Sequence, residues 1–349
     1  MATYRFADVK TAHGIVKFHY VISTPSNPNA PSVDPSVPTV LFLNAVYSPL
    51  YTLQSQFASS ELRRFNLVSF DHLAHGLTEG HVPPGYNHKQ AADDIAAFID
   101  TIQLPPCVLW GLSLGTILAL QLAIVHPAKV LGLFLISPLG NKDPKDVADG
   151  RRQVFEVWCD AMRVKGIDRE ALDDALFGAQ QLALNSRVSH LTKAVGEACL
   201  PLTLKRWTPD QFGDQKVMTV TIFTDREDFS HEELAALRNV PVTLVHCLAD
   251  IAYPQEYFES FARRLQEANV PTTVHRVPDA AHFGAVTHPA IVNSMCHRFV
   301  LGVWKGPTPP RAAKRVVSPF DGPLREAGWD GQSDSSDDDF ERPRIIGRD

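Results

Sequence analysis

The sequence predicts an α/β protein with a mostly parallel central sheet flanked by helices, and three observations carry that prediction. Short, continuous apolar runs of strand length recur along the first third of the chain and again near its end. Helical periodicities lie between them, the alternation that right-handed crossovers produce. One of the runs turns through glycine and serine directly into a long apolar helical pattern. At 349 residues the chain can hold a large core plus an insertion or a tail.

Residues 13–23 (HGIVKFHYVIS) alternate apolar and polar, as a half-exposed strand does. Residues 24–38 carry five prolines with Ser and Asn and read as an exposed loop. TVLFL at 39–43 and NLVSF at 66–70 follow, continuous enough to be central parallel strands. Over 88–103, Ala91, Ile95, Phe98, Ile99 and Ile102 keep helical spacing, and Pro105-Pro106 ends that helix before the run at 107. Residues 130–136 form the next buried run.

From about 138 the pattern changes to amphipathic helices, at 151–164, 168–184 and 186–199. VMTVTIF at 217–223 is apolar enough for a strand and equally fits a helical or extended piece of the same segment. Ser230-x-x-Glu233 has the form of a capping box that starts a helix and returns the chain to the sheet. VTLVHC (242–247) and TTVHRV (272–277) are further strand-like runs with a helix at about 255–268 between them, and a last helix spans 289–303. Three segments follow from this: a core of 1–137 plus 230–304, an inserted helical lid at 138–229, and a charged tail at 305–349. The tail is rich in Pro, Gly, Ser and charge, and is expected to be disordered. RAAKR at 311–315 reads as a solvated charge cluster.

Bulk properties narrow the function. A net charge of −6 gives no basic footprint, so no nucleic-acid partner is expected. Five scattered cysteines without a C-x-x-C read as reduced core residues. With no apolar h-region at the start and no uncharged run long enough for a membrane span, the expectation is a cytoplasmic protein. No metal-ligand spacing is present, and neither metal nor cofactor is expected.

The chemistry centres on residues 107–123, CVLWGLSLGTILALQLA. A strand that reverses directly into a helix crowds its turn residue toward φ > 0, and the residues two before and two after must be small. Gly111 and Gly115 meet that need around Ser113. The turn projects the serine hydroxyl out of the sheet, while the Leu114 amide points from a helix N-terminus. Serine needs a base, and the base works best with a carboxylate to orient it. Asp250 follows the 242–247 run and His282 follows the 272–277 run, so both fall at the carboxyl ends of strands, where Ser113 also emerges. Asp225 in FTDRED is a rival acid should 217–223 be a strand.

The order Ser, Asp, His resembles that of the α/β-hydrolase fold family. Phe70-Asp71-His72-Leu73-Ala74-His75-Gly76-Leu77-Thr78 resembles that family's D-x-x-G-x-G-x-S turn, with Ala74 and Thr78 as departures. Asp250 with Pro254 resembles its acid loop, and Ala281-His282-Phe283 its histidine loop. The resemblance covers about residues 12–303. It implies a serine esterase type of hydrolase acting through an acyl-enzyme on a small ester, thioester or lactone, and the apolar side chains of the inserted helices, Phe155 and Trp158 among them, suggest an apolar acyl or alcohol group. Ser113, Asp250 and His282 would form its catalytic triad on a nucleophile elbow. Where relatives carry His-Gly after the third strand, this chain has Asn44-Ala45-Val46-Tyr47. The second oxyanion donor then falls to the Val46 amide beside that of Leu114, and Ala45 raises the expectation of a reshaped hole. Asn44, Ala45, Tyr47, Phe155, Trp158 and Phe283 are the candidate pocket residues. Carbon–carbon bond hydrolysis, acyl transfer to an acceptor other than water, and a catalytically weak receptor on the same fold remain open.

Overall fold

The central apolar runs assemble as strands because each is buried along its length. The computed structural model describes residues 4–163, 166–312 and 316–331. The strands are β1 (Arg5–Thr11), β2 (Gly14–Ser23), β3 (Thr39–Leu43), β4 (Asn66–Phe70), β5 (Cys107–Leu112), β6 (Val130–Ile136), β7 (Val242–Cys247) and β8 (Thr272–Val277). They form one eight-stranded sheet in the order β1-β2-β4-β3-β5-β6-β7-β8. β1 and β2 are antiparallel, as are β2 and β4; every pairing from β4 through β3 to β8 is parallel. β3, β4, β5 and β7 are buried at every residue. Val40, Phe42 and Trp110 pack on one face of the sheet, and Leu41, Leu43 and Leu109 on the other.

In chain order the helices begin with α1 (Gln54–Phe57) and α2 (His88–Thr101). Asn87 and Gln90 close a capping box at the start of α2. α3 (Leu114–Val125) leaves β5 directly and is buried from Leu114 through Ala123. The segment between β6 and β7 carries α4 (Lys145–Arg163), α5 (Arg169–Leu184), α6 (His190–Arg206), α7 (Phe212–Lys216) and α8 (Ile222–Thr224). α9 (His231–Ala235) opens on the expected Ser230–Glu233 capping box. α10 (Gln255–Glu267), α11 (Gly284–Thr287), α12 (Pro289–Val303) and α13 (Asp321–Glu326) complete the set. No helix among the described residues is long and apolar enough to cross a membrane.

Several elements differ from the sequence reading. β1 was not anticipated; its inward side carries only Ala7 and Val9, too little apolar signal for a strand. Of the alternatives open for VMTVTIF the helical one holds: a π-helical turn over Val217–Thr221 runs into α8. Met218, Val220, Ile222 and Phe223 are all buried, so burial on several sides erases the periodicity that separates helix from strand. Asp94 on α2 is buried and bonded to His13 and Tyr86 at 2.8 Å each.

The tail is corrected for the part described. Phe320, Leu324 and Trp329 are buried, Phe320 against Phe57 and Tyr51 at 5.1 and 5.9 Å between ring centroids. Arg63 donates to the Val317 carbonyl at 2.6 Å, and Gln54 to Asp321 at 2.6 Å. Three large apolar side chains suffice to dock this stretch although its average composition is that of a disordered one. Residues 313–315 of the basic cluster and the acidic stretch at 333–340 lie outside the described residues.

Candidate active site

β5 ends at Leu112, and the next residue takes torsions that only a sharp turn imposes: Ser113 has φ 52° and ψ −113°. Such a conformation costs on the order of 1–3 kcal/mol and persists where the surroundings over-determine it. The flanking glycines are those surroundings. A Cβ on Gly115 would lie 1.8 Å from the Leu43 carbonyl oxygen, and one on Gly111 would lie 2.8 Å from the Gly115 carbonyl oxygen. The Ser113 amide donates to the Ile136 carbonyl at 3.2 Å, tying the turn to β6.

Asp250 and His282 stand beyond β7 and β8, at the same edge of the sheet. Asp250 Oδ1 accepts the amides of Ala252 and Tyr253 at 2.9 and 3.0 Å, which leaves Oδ2 to face His282 Nδ1 at 2.5 Å. His282 Nε2 lies 2.9 Å from Ser113 Oγ. A carboxylate can only accept, so Nδ1 is the donor to Asp250, and in the neutral tautomer that this fixes Nε2 presents a lone pair to the serine. The ring is wholly buried, stacked on Tyr253 with centroids 5.0 Å apart. Its backbone is also held: Ser137 Oγ donates to the His282 carbonyl at 2.6 Å. The sequence marks Ser137 only as the end of a strand run, and nothing in it signals this role. The rival Asp225 is exposed at the end of α8 and accepts from Thr224.

Val46 and Leu114 flank the serine. Leu114 heads α3, where first-turn amides are not used within the helix. Val46 is buried and lines the cavity above Ser113. The left-handed torsion of this loop falls on Tyr47 (φ 61°), two residues beyond Ala45, which has no positive φ. The concern that Ala45 must adopt a glycine torsion therefore does not arise. His72 Nε2 donates to the Asn44 carbonyl at 3.0 Å, and burial pushes the His72 pKa down to about 4, so the donor is a neutral imidazole. Asp71 braces the turn beneath, with Oδ2 receiving His19 Nδ1 at 2.7 Å and the Leu77 amide at 3.0 Å.

A cavity of about 550 Å³ opens at Ser113. Val46, Tyr47, His75, Phe155, Trp158, Trp207 and Phe283 are among its walls, with α5 and α6 supplying Leu176, Leu191 and Val195. Of the residues singled out from the sequence, Tyr47, Phe155, Trp158 and Phe283 line this cavity. Asn44 and Ala45 are buried outside the lining, and both side-chain polar atoms of Asn44 lack a hydrogen-bond partner. Trp207, which the sequence reading passed over, anchors the far end by donating to the Ala74 carbonyl at 2.7 Å, while its own carbonyl accepts from Trp158 at 3.1 Å.

Comparison with known proteins agrees with this architecture. The alpha/beta hydrolase fold family matches residues 39–289. A putative carbamate hydrolase of Serratia proteamaculans is 28% identical over 113 residues, 32% of this chain and 40% of that protein. The chain therefore spans about two fifths of that relative's length. A putative non-heme bromoperoxidase of Mycobacterium tuberculosis is 25% identical over 247 residues, 68% of this chain and 84% of that protein. Among solved structures, a thermophilic esterase from Thermogutta terrifontis superposes with a TM-score of 0.64 at 18% identity, covering 86% of this chain and 99% of the esterase. The enol-lactonase from Burkholderia xenovorans gives 0.62 at 17% identity, covering 85% and 100%. At such identities the structures speak for the fold, and the family match spans well over half the chain. This protein belongs to the alpha/beta hydrolase fold family.

Proposed function

We propose that this protein is a serine hydrolase that cleaves a carboxylic ester, thioester or lactone through an acyl-enzyme. The observation that carries the reading is the continuous chain Ser113 Oγ, His282 Nε2 and Nδ1, Asp250 Oδ2, with spacings of 2.9 and 2.5 Å. Ser113 Oγ attacks the carbonyl carbon as its proton passes to His282 Nε2. Asp250 holds the imidazole in the required tautomer and stabilises the cation that forms. The carbonyl oxygen becomes an oxyanion facing the Leu114 and Val46 amides, donors of the kind whose individual loss costs about 10²–10³ in rate. Collapse expels the alcohol, thiol or ring oxygen, which takes the proton from Nε2. Water then repeats the sequence against the acyl-serine and releases the acid.

The helical segment at 138–229 acts as a lid over this site. Phe155, Trp158, Trp207, Leu191 and Val195 give the cavity apolar walls, which suits a small apolar acyl or alcohol group. The five cysteines are free and buried, which fits a reducing, cytoplasmic setting. A carbamate presents the same carbonyl chemistry, and the likeness to a putative carbamate hydrolase makes it the second reading.

A fluorophosphonate probe tests the proposal. Labelling of the wild type but not of Ser113→Ala is expected, together with turnover of aryl esters of graded acyl length. A folded wild type that neither labels nor turns over any ester would refute it. The ratio of kcat/KM for an ester and its carbamate isostere decides between the two substrates.

A further inference from the structure

The interior of the inserted segment holds an unusual concentration of charge. Arg151 on α4 and Asp143 just before it pair at 2.9 Å with side chains 0% and 1% exposed. Arg226, after α8, lies 3.5 Å from the other oxygen of Asp143 and is 1% exposed. Two guanidinium groups thus share one carboxylate, and Arg151 Nη1 with Arg226 Nε and Nη1 have no hydrogen-bond partner. An apolar cluster of similar volume would be as stable or more so, because desolvating charges offsets their attraction. Stability alone gives no reason for this arrangement.

Its contacts offer one. Arg151 Nη2 donates to the Tyr253 hydroxyl at 2.8 Å, and that hydroxyl donates to Asp143 Oδ2 at 3.2 Å. The Arg151 guanidinium is fixed from the other side by the face of Phe223, 3.6 Å from the ring centroid. Tyr253 therefore has three tethers: its hydroxyl to the inserted segment, its amide to Asp250 Oδ1, and its ring against the His282 imidazole at an interplanar angle of 27°.

We propose that Arg151, Asp143 and Tyr253 are positioning residues, a buried strut through which the inserted segment holds the His282 imidazole in line with Ser113. This rests on the reading of His282 as general base. The strut makes correct seating of α4 a condition for a competent imidazole, since the ring on which His282 stacks is held by α4's own arginine. Misplacing a reacting group by about 1 Å can cost on the order of 10² in rate.

The test uses the full chain with Tyr253→Phe, Arg151→Met and the double variant. Tyr253→Phe keeps the stacked ring and removes only the tether. Three quantities are read: kcat and KM on an aryl ester, Tm, and the downfield proton resonance of His282 Nδ1–H, assigned by its loss in His282→Gln. Tyr253→Phe is expected to lower kcat about tenfold to 10²-fold at temperatures where it is fully folded, to leave KM near wild type, to lower Tm by only a few degrees through the lost buried hydrogen bonds, and to broaden the resonance through faster exchange. The double variant should be no slower than Arg151→Met, because both cut one strut. Unchanged kcat with a sharp resonance in Tyr253→Phe overturns the proposal. So does a loss of kcat that only follows Tm, or losses that multiply in the double variant. Should Arg151→Met fail to fold, Tyr253→Phe decides alone. Should the wild type show no hydrolysis at all, the functional reading fails by itself, and the resonance in Tyr253→Phe still decides the strut.

Discussion

Gly115→Ala puts the turn at Ser113 under the most direct strain the structure allows. The added Cβ would lie 1.8 Å from the Leu43 carbonyl oxygen, 2.5 Å from its carbon and 3.1 Å from the Asn44 carbonyl oxygen. Ordinary contact begins at about 3.4 Å, and these atoms are backbone, so no side chain can swing aside. β3 and the first turn of α3 must part by well over 1 Å. β3 leads into Val46 and the first turn of α3 begins with Leu114, so the substitution separates the two amides assigned to the oxyanion. Overpacking of this kind costs about 3 kcal/mol or more, and a displaced oxyanion donor costs about 10²–10³ in kcat. Gly111→Ala is the internal control: its Cβ would approach no closer than 2.8 Å, to the Gly115 carbonyl oxygen, and it should lose less. The assay is the second-order rate of fluorophosphonate labelling beside kcat/KM on an aryl ester, with Tm taken on the same samples. A Gly115→Ala protein that labels and turns over like Gly111→Ala would refute the reasoning, since packing at the glycine could then not be what sets the oxyanion geometry.

Three further outcomes are expected. Ala45→Gly should not raise kcat, because the left-handed torsion of its loop falls on Tyr47, and it should cost about 0.5–1 kcal/mol in urea unfolding through backbone entropy; a gain in kcat would show that Ala45 obstructs the oxyanion site. Folded His72 stays neutral down to about pH 4 while an unfolded imidazole protonates near 6.5, so acid favours the unfolded chain and stability falls as pH drops from about 6.5 to 4; the slope of urea midpoint against pH should flatten in His72→Gln, and an unchanged slope would contradict this. Phe320→Ala and Leu324→Ala should each destabilise by about 2–5 kcal/mol, read as a lowered Tm, and no change in either would mean that the docked segment adds nothing to the core.

In both the sheet and the candidate site, the features with local determinants are the ones legible in the sequence. Central strands read well because burial on both faces leaves an unbroken apolar run, as in TVLFL and NLVSF. The G-x-S-x-G turn read well because its demands are local: a strand, two small residues and a helix, all within one short stretch. Asp250 and His282 were placed by strand order and by family resemblance together. What failed was whatever depends on partners distant in sequence. Arg151 looks like one more solvated charge in KDVADGRRQ, yet its partners are Asp143, Tyr253 and Phe223. Phe320 looks isolated in a polar tail, yet it packs on Tyr51 and Phe57, and α13 beside it lies against α6.

This division has a physical cause that bears on how the site works. Turn geometry is set by sterics among neighbours and leaves a compositional trace wherever a Cβ cannot fit, as at Gly111 and Gly115. Orientation of the base is set by hydrogen bonds from segments that meet only in the folded chain: Ser137 at the His282 carbonyl, the amides of Ala252 and Tyr253 at Asp250, and Arg151 and Asp143 at the Tyr253 hydroxyl. Each of these is a single ordinary side chain or amide with no spacing to reveal it. On the proposed reading, presentation of the nucleophile is built into β5 and α3, whereas alignment of the base draws on Ser137 just after β6, on the acid loop and, through the proposed strut, on the inserted helices. If the proposed strut operates, changes in the inserted segment alter the imidazole's alignment while leaving the serine turn as it is.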